Sequence, residues 1–182
     1  GDAAANAADW TFYFDDIVIP FVSDAGPELL TNGGFDSGFD SWTEVGAIVM
    51  EAGNSFMQAD VQAAGNAFDV NLSQSMTLIP DTAYIVSFKA KASVARTMLA
   101  GLGLFHDPWT NVVETVSLTT DWQTFTYTIT TTGFGDDDSR VLFDMGAEVG
   151  VVSIDDVSVK LASGGGDTGG GDTGGGDAGP EL

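Results

Sequence analysis

Between Leu29 and Leu161 apolar and polar residues alternate with period two. In "TAYIVSFKAKA", Tyr84, Val86 and Phe88 share one side, with Ile85 and Ser87 on the other. In "WQTFTYTITT", Trp122, Thr124, Thr126 and Thr128 oppose Gln123, Phe125, Tyr127 and Ile129, and "VVSIDDVSV" continues the pattern. Successive strand residues point to opposite faces, so this alternation predicts half-buried β-strands. Thr, Val, Phe and Tyr fill these runs, and Gly, Asn, Asp or Pro separate them. No stretch of 12 residues carries a helical stripe. The pattern predicts an all-β fold, a sandwich of two antiparallel sheets. Trp42, Tyr84, Phe88 and Trp122 stand within the strand runs and are expected in the core.

The alternation stops at both ends. Residues 163–176 read "SGGGDTGGGDTGGG", a Gly-rich segment solvated by its Asp residues, from which no core can be built. The six residues "DAGPEL" occur at 24–29 and again at 177–182. "FYFDDIVI" at 12–19 echoes "VSIDDVSV" at 152–159. Two echoes that flank one domain suggest a tandem array. The expected organisation is the tail of a preceding module or a linker at 1–23, a complete module at 24–162, and a linker at 163–182 that runs into a next module.

Composition narrows the function classes. The chain has 182 residues, 43% of them hydrophobic, enough for one full core. Five Lys and Arg face 27 Asp and Glu, a formal net charge of -22. Such a surface disfavours nucleic acid, whose phosphates require basic residues to displace counterions, and anionic membranes for the same reason. Without cysteine, disulfides and thiolate chemistry are excluded. No apolar run approaches the ~20 residues of a membrane span.

Four segments carry a resemblance to a known family: "ELLTNGGFDSGFDSWT", "NAFDVNLSQSMTLIPDTAYIVSFKAKA", "DPWTNVVETVSLTTDWQTFTYTIT" and "RVLFDMG" with "VVSIDDVSVKL". In this order, across 28–161, the chain resembles carbohydrate-binding modules of the family 4/9/22 type. The resemblance implies a jelly-roll β-sandwich of a secreted polysaccharide-degrading enzyme, monomeric, with neighbouring modules and a covalently linked catalytic domain. It also implies a structural calcium ion where the first strand meets the last, with Gly34, Asp36 and Asp155 as ligands and Glu51 as a contributor. Ca²⁺ takes six to eight hard oxygens, which acids and carbonyls supply. Strand alternation prevents Asp155 and Asp156 from both turning inward, and Asp155 is the expected ligand.

The same resemblance places a sugar cleft across one sheet. Phe68, in "NAFDVNL", and Trp109, in "DPW", are the implied stacking platforms, with Phe105 and His106 just before Trp109. Phe at 68 departs from the commoner Trp and weakens the stacking expected there. Independently, alternation in "RVLFDMG" directs Val141, Phe143 and Met145 to one face, and Arg140, Leu142 and Asp144 to the other. The resemblance implies paired polar residues on the equivalent strand of the cleft, which makes Arg140 and Asp144 candidates to bond sugar hydroxyls, together with Asn71. Other roles stay open: Phe68 and Phe105 as core residues, Arg140 as an ion-pair partner of Asp136 to Asp138, and His106 as an ordinary loop residue.

A glycoside hydrolase needs two carboxylates facing each other across a cleft, roughly 5–10 Å apart. Acids are abundant, but no catalytic motif stands out, and a single His forms no recognisable triad. The expected function is non-catalytic binding of a neutral β-glycan, a laminarin-like β-1,3-glucan first, then xylan or mixed-linkage glucan. An adhesive or structural surface repeat stabilised by calcium is the alternative. An exposed Phe68 and Trp109 over a groove favours sugar, and a plain sheet face favours adhesion.

Overall fold

A computed structural model describes residues 25–46, 48–50 and 55–162, with backbone alone for 48–50. Ten strands follow in chain order: β1 Thr43–Val45, β2 Ile48–Met50, β3 Met57–Val61, β4 Asn71–Met76, β5 Ala83–Ala92, β6 Arg96–Leu104, β7 Asn111–Leu118, β8 Gln123–Thr130, β9 Ser139–Asp144 and β10 Gly150–Leu161. A 3-10 turn, Ala67–Asp69, precedes β4. The strands form two five-stranded sheets, with orders β1-β4-β9-β6-β7 and β2-β3-β10-β5-β8. All named strand pairs are antiparallel. This is the antiparallel β-sandwich expected from the alternation, with the jelly-roll form that the family resemblance implies.

The core lies between the sheets. Leu72, Ala100, Leu102, Val141 and Phe143 of the first sheet face Tyr84, Val86, Phe88, Ile129, Val152 and Ile154 of the second, all buried. Phe88 occupies the aromatic centre, with Phe125 stacked at 5.4 Å and Phe143 edge-on at 5.0 Å. Two buried polar groups are satisfied locally. The Gln74 side chain brackets the Thr31 backbone, accepting from its N–H at 2.8 Å and donating to its carbonyl at 2.8 Å. The Tyr84 hydroxyl accepts from the Ile79 N–H at 2.8 Å.

Trp42, Tyr84 and Phe88 are buried as expected, whereas Trp122 is 39% exposed. The reason lies in the pleat. Position 122 is in phase with Thr124, Thr126, Thr128 and Thr130, all exposed on the outer face of β8. The inner face of that strand is filled by Phe125, Tyr127 and Ile129. Side-chain size does not override strand phase.

The expected strict alternation at Asp155 and Asp156 also fails. The register between β10 and β5 slips between Asp155 and Ser158, a β-bulge with Asp156 at φ 49°. A bulge adds an unpaired residue and re-aims the local side chains. Asp155 is therefore half-buried and Asp156 exposed.

The two ends of the described module meet along β10. The Gly26 N–H donates to Leu161 and the Leu29 N–H to Val159, both at 2.9 Å, and Glu28 forms a bridge with Lys160. Segments 1–23 and 163–182, expected to be parts of neighbouring modules and a linker, lie outside the described residues. Among the described residues no helix is long and apolar enough to cross a membrane.

Candidate functional site

The outward face of the first sheet is built by register. Val45 pairs with Asn71, Asn71 with Asp144, and Asp144 with Leu99. Two residues further along, Thr43, Ser73, Leu142 and Gly101 form the next rung; beyond it lie Ser75, Arg140, Gly103 and Asn111. Residues two apart share a face, so these three rungs form one floor. Gly103 leaves the floor low beside β7, because a Cβ there would stand 2.7 Å from the Asn111 Cβ.

Loops raise the walls. At one end the turn carrying Phe68 is stitched to the end of β9 by Gly65 N–H to Gly146 carbonyl (2.9 Å), Gly146 N–H to Ala67 carbonyl (2.8 Å) and Met145 N–H to Val70 carbonyl (2.8 Å). The Asp69 carboxylate accepts from the Asn66 N–H at 2.7 Å and tightens that turn. At the other end the loop after β6 carries Phe105 and Trp109. Trp109 adopts φ 59°, a conformation costly for a bulky residue, and its N–H donates to the His106 carbonyl at 2.7 Å. The result is a cleft of about 480 Å³ lined by Val45, Phe68, Asn71, Phe105, Trp109, Asn111, Arg140 and Asp144. Phe68 and Trp109 remain 63% and 50% exposed at its two ends, so neither is a core residue.

The polar floor is a directed chain of hydrogen bonds. Arg140 Nη1 donates to Ser73 Oγ (3.2 Å), Ser73 Oγ donates to Asn71 Oδ1 (2.6 Å), and Asn71 Nδ2 donates to Asp144 Oδ1 (2.6 Å). The Arg140 guanidinium lies 5.0 Å from the Phe105 ring centre and 5.4 Å from that of Trp109, within cation–π range. Burial lowers the Arg140 pKa, and nearby Asp144 opposes that shift. Burial also raises the Asp144 carboxyl above its usual range, against the pull of Asn71 and Arg140. Arg140 Nε is buried with no hydrogen-bond partner. A buried donor left unpaired costs free energy. The chemistry on offer is a rigid line of oriented donors and acceptors between two aromatic ends.

Six of the seven residues expected around a sugar thus meet in one cleft. His106 does not line it; it braces the wall. Its Nε2 lies 2.8 Å from Asp136 Oδ2 and its Nδ1 2.7 Å from the Asp107 carbonyl. Both partners accept only, so satisfying both requires the doubly protonated ring. The Asp136 hydrogen bond, then that of the Asp107 carbonyl, holds the His106 pKa above 6.5, and the same bond to His106 lowers Asp136. Arg140 is accordingly not the ion-pair partner of the 136–138 run. Ser73, Val45 and Asn111 were not expected. Only strand register, which no local pattern specifies, brings them into line.

The pair's pH dependence follows from the two shifts. A raised His pKa contributes stability below the unfolded value that is lost as pH rises through the folded one. A lowered Asp pKa contributes stability above its ordinary value that is lost as pH falls through the folded one. His106→Gln should therefore lower the melting temperature most near pH ~5.5. The difference from wild type should vanish above the raised His106 value, as read by thermal denaturation across pH.

The expected calcium ligands lie at the β10 bulge. The Val157 N–H donates to the Gly33 carbonyl at 2.9 Å, which docks the 32–36 loop there. A Cβ on Gly34 would stand 3.7 Å from Asp36 Oδ2 and 3.9 Å from Asp156 Oδ1. The carboxylate facing Gly34 is thus that of Asp156, which also pairs with Lys89 at 2.7 Å. Burial, then the charges of Asp156 and Asp36, raise the Asp155 carboxyl, with Lys89 opposing. Glu51 lies outside the described residues. Among the described residues no three His, Cys, Asp or Glu side chains converge as a metal site. The fit to Ca²⁺ is partial: the carboxylates of Asp36 and Asp156 gather beside Gly34, but further oxygens are needed.

Comparison with known proteins agrees with this architecture. The model of the family CBM_4_9, "Carbohydrate binding domain", matches residues 27–149, more than half of the chain. A structure described as "CBM4 structure and function" is similar at 28% identity and TM-score 0.62, covering 72% of this chain and 98% of its own. The second N-terminal cellulose-binding domain of Cellulomonas fimi β-1,4-glucanase C matches at 20% identity and TM-score 0.60, covering 78% and 98%. The CBM22-1 xylan-binding domain of Paenibacillus barcinonensis Xyn10C matches at 13% and 0.56, covering 76% and 97%. No curated protein matches the chain. With the family pattern running through the strands that build the cleft, the chain belongs to the CBM_4_9 family of carbohydrate binding domains.

Proposed function

We propose that the cleft holds a single neutral β-glycan chain, without catalysis, and so keeps a linked glycoside hydrolase of a secreted protein near its substrate. The observation that carries this reading is the pairing of two exposed aromatic ends, Phe68 and Trp109, with a polar floor between them. Flat rings stack on pyranose faces, and planar amide, guanidinium and carboxylate groups bond the hydroxyls. Along β9 the floor runs from Arg140 to Asp144, roughly 13 Å, enough for a short run of sugar rings. A groove of this kind takes a separated chain rather than a crystalline surface. The raised ends suit a chain that bends, as β-1,3 linkages do, so a laminarin-like β-1,3-glucan is preferred over extended xylan or mixed-linkage glucan. The net charge of -22 opposes an anionic glycan. An adhesive repeat would have no use for this floor.

Affinity electrophoresis against laminarin, xylan and mixed-linkage glucan tests the ligand. Retardation is expected most strongly by laminarin. Retardation by xylan alone would replace the preferred ligand, and none by any of them would remove the glycan reading.

We further propose that a structural Ca²⁺ is held beside the bulge by the Gly34 carbonyl and the carboxylates of Asp36 and Asp155 or Asp156, in competition with Lys89. Glu51 is the remaining candidate ligand. The ion would relieve repulsion among these acids and clamp the 32–36 loop to β10. Chelation should then lower the melting temperature by several degrees, and Ca²⁺ should restore it. An unchanged value in chelator would remove the ion.

A further inference from the structure

The outer face of the second sheet carries a feature that the cleft does not use. Trp122 is 39% exposed and yet firmly held. Phe56 packs against it edge-on at 5.3 Å, and the Lys91 ammonium lies 5.0 Å from its ring centre. Beside it is a depression of about 250 Å³ lined by Lys89, Trp122, Gln123, Thr124 and Asp155. Register explains the grouping: Lys89 lies between Thr124 on β8 and Asp155 on β10. The pocket therefore combines one aromatic wall with an ammonium, a carboxyl, an amide and a hydroxyl. The exposed hydroxyls of Thr126, Thr128 and Thr130 prolong that polar track along β8. A Trp held rigid before binding loses little entropy on contact.

We propose that this outer depression is a second carbohydrate contact, in which a neutral pyranose ring lies against Trp122 and its hydroxyls meet Lys89, Gln123 and Thr124. It rests on the reading of the module as a glycan binder but lies on the opposite sheet from the cleft. Mixed donors and acceptors around an indole suit polyhydroxylated rings rather than a peptide or a lipid chain. Asp155 and Asp156 beside the lysines leave no net positive charge for an anionic sugar. Being smaller and shallower than the cleft, this site binds more weakly, at least about tenfold. A module with two contacts on opposite faces bridges two chains, or two stretches of one, and gains avidity on a polymer.

The test is a titration of the 15N-labelled full chain with laminarihexaose, xylohexaose and cellohexaose, following the indole N–H resonances. Trp122→Phe and Trp109→Phe identify the two signals. Buried Trp42, whose indole N–H donates to the Asn32 carbonyl at 3.0 Å, serves as the unmoved control. The Trp122 signal should shift, with a dissociation constant at least about tenfold weaker than that at Trp109. The shift should persist in Phe68→Ala/Trp109→Ala, and disappear in Gln123→Ala/Thr124→Ala, which leaves Trp122 and its supports in place. A Trp122 signal that stays fixed, or one that moves only while the cleft is intact, overturns the proposal. A moving Trp122 beside a fixed Trp109 would retain it and remove the cleft instead, so the two readings fail separately.

Discussion

Arg140→Ala is expected to weaken glycan binding by about 2–4 kcal/mol, roughly two orders of magnitude, with no loss of thermal stability. The side chain starts the hydrogen-bond chain through Ser73 and Asn71 to Asp144, and it rests against both Phe105 and Trp109. Its removal frees the Trp109 wall and leaves Ser73 without its donor. Stability should nevertheless hold or rise, because the guanidinium is partly desolvated and its Nε is buried without a partner. The substitution removes that unpaired donor, which offsets the loss of the Ser73 contact and of the charge beside Asp144, whose raised carboxyl can take a proton instead. Arg140→Lys should recover only part of the affinity, since a point charge does not replace a planar fork between two rings. Calorimetry and thermal denaturation on the same two variants check the split. A parallel fall in affinity and melting temperature would make Arg140 a structural residue.

The largest effect on stability is expected at Phe88. It is 1% exposed and touches aromatic partners from both sheets, Phe125 and Phe143, with Tyr127 at 6.4 Å. Phe88→Ala would open a cavity between the layers that the close-packed strands cannot collapse to fill. The cost should be about 3–5 kcal/mol, a fall in melting temperature of about 10 °C or more. Leu should recover most of it. Because Phe143 of β9 also packs on Phe88, the variant should weaken binding too where the floor loosens. Denaturant unfolding with wild-type and variant protein measures this. A loss below about 1 kcal/mol would place the core elsewhere.

Much of this architecture was legible in the sequence because strand alternation is a local signal. Tyr84, Val86 and Phe88 announce an inward face, and Val141, Phe143 and Met145 likewise, which leaves Arg140 and Asp144 outward. Trp122 is expected in the core because it stands within a strand run, but its phase with the threonines puts it on the outer face. Ser73 and Asn111 were invisible for another reason. They matter only through register between strands far apart in sequence, and Ser73 is small, polar and buried, which no hydropathy pattern marks. The β10 bulge was equally hidden: one extra residue at Asp156 changes which carboxylate faces Gly34, and its signature is a backbone angle rather than a residue type. Phe68 and Trp109 were found by family resemblance, and the structure adds that both stay exposed at opposite ends of one floor.

Calorimetric titration of wild type and of Phe68→Ala/Trp109→Ala with laminarin tests the central claim most directly. The account predicts measurable binding by the wild type, weakened at least about 100-fold in the double variant, with unchanged thermal stability because both side chains are largely exposed. Equal binding by wild type and double variant would contradict it and place the sugar away from this cleft.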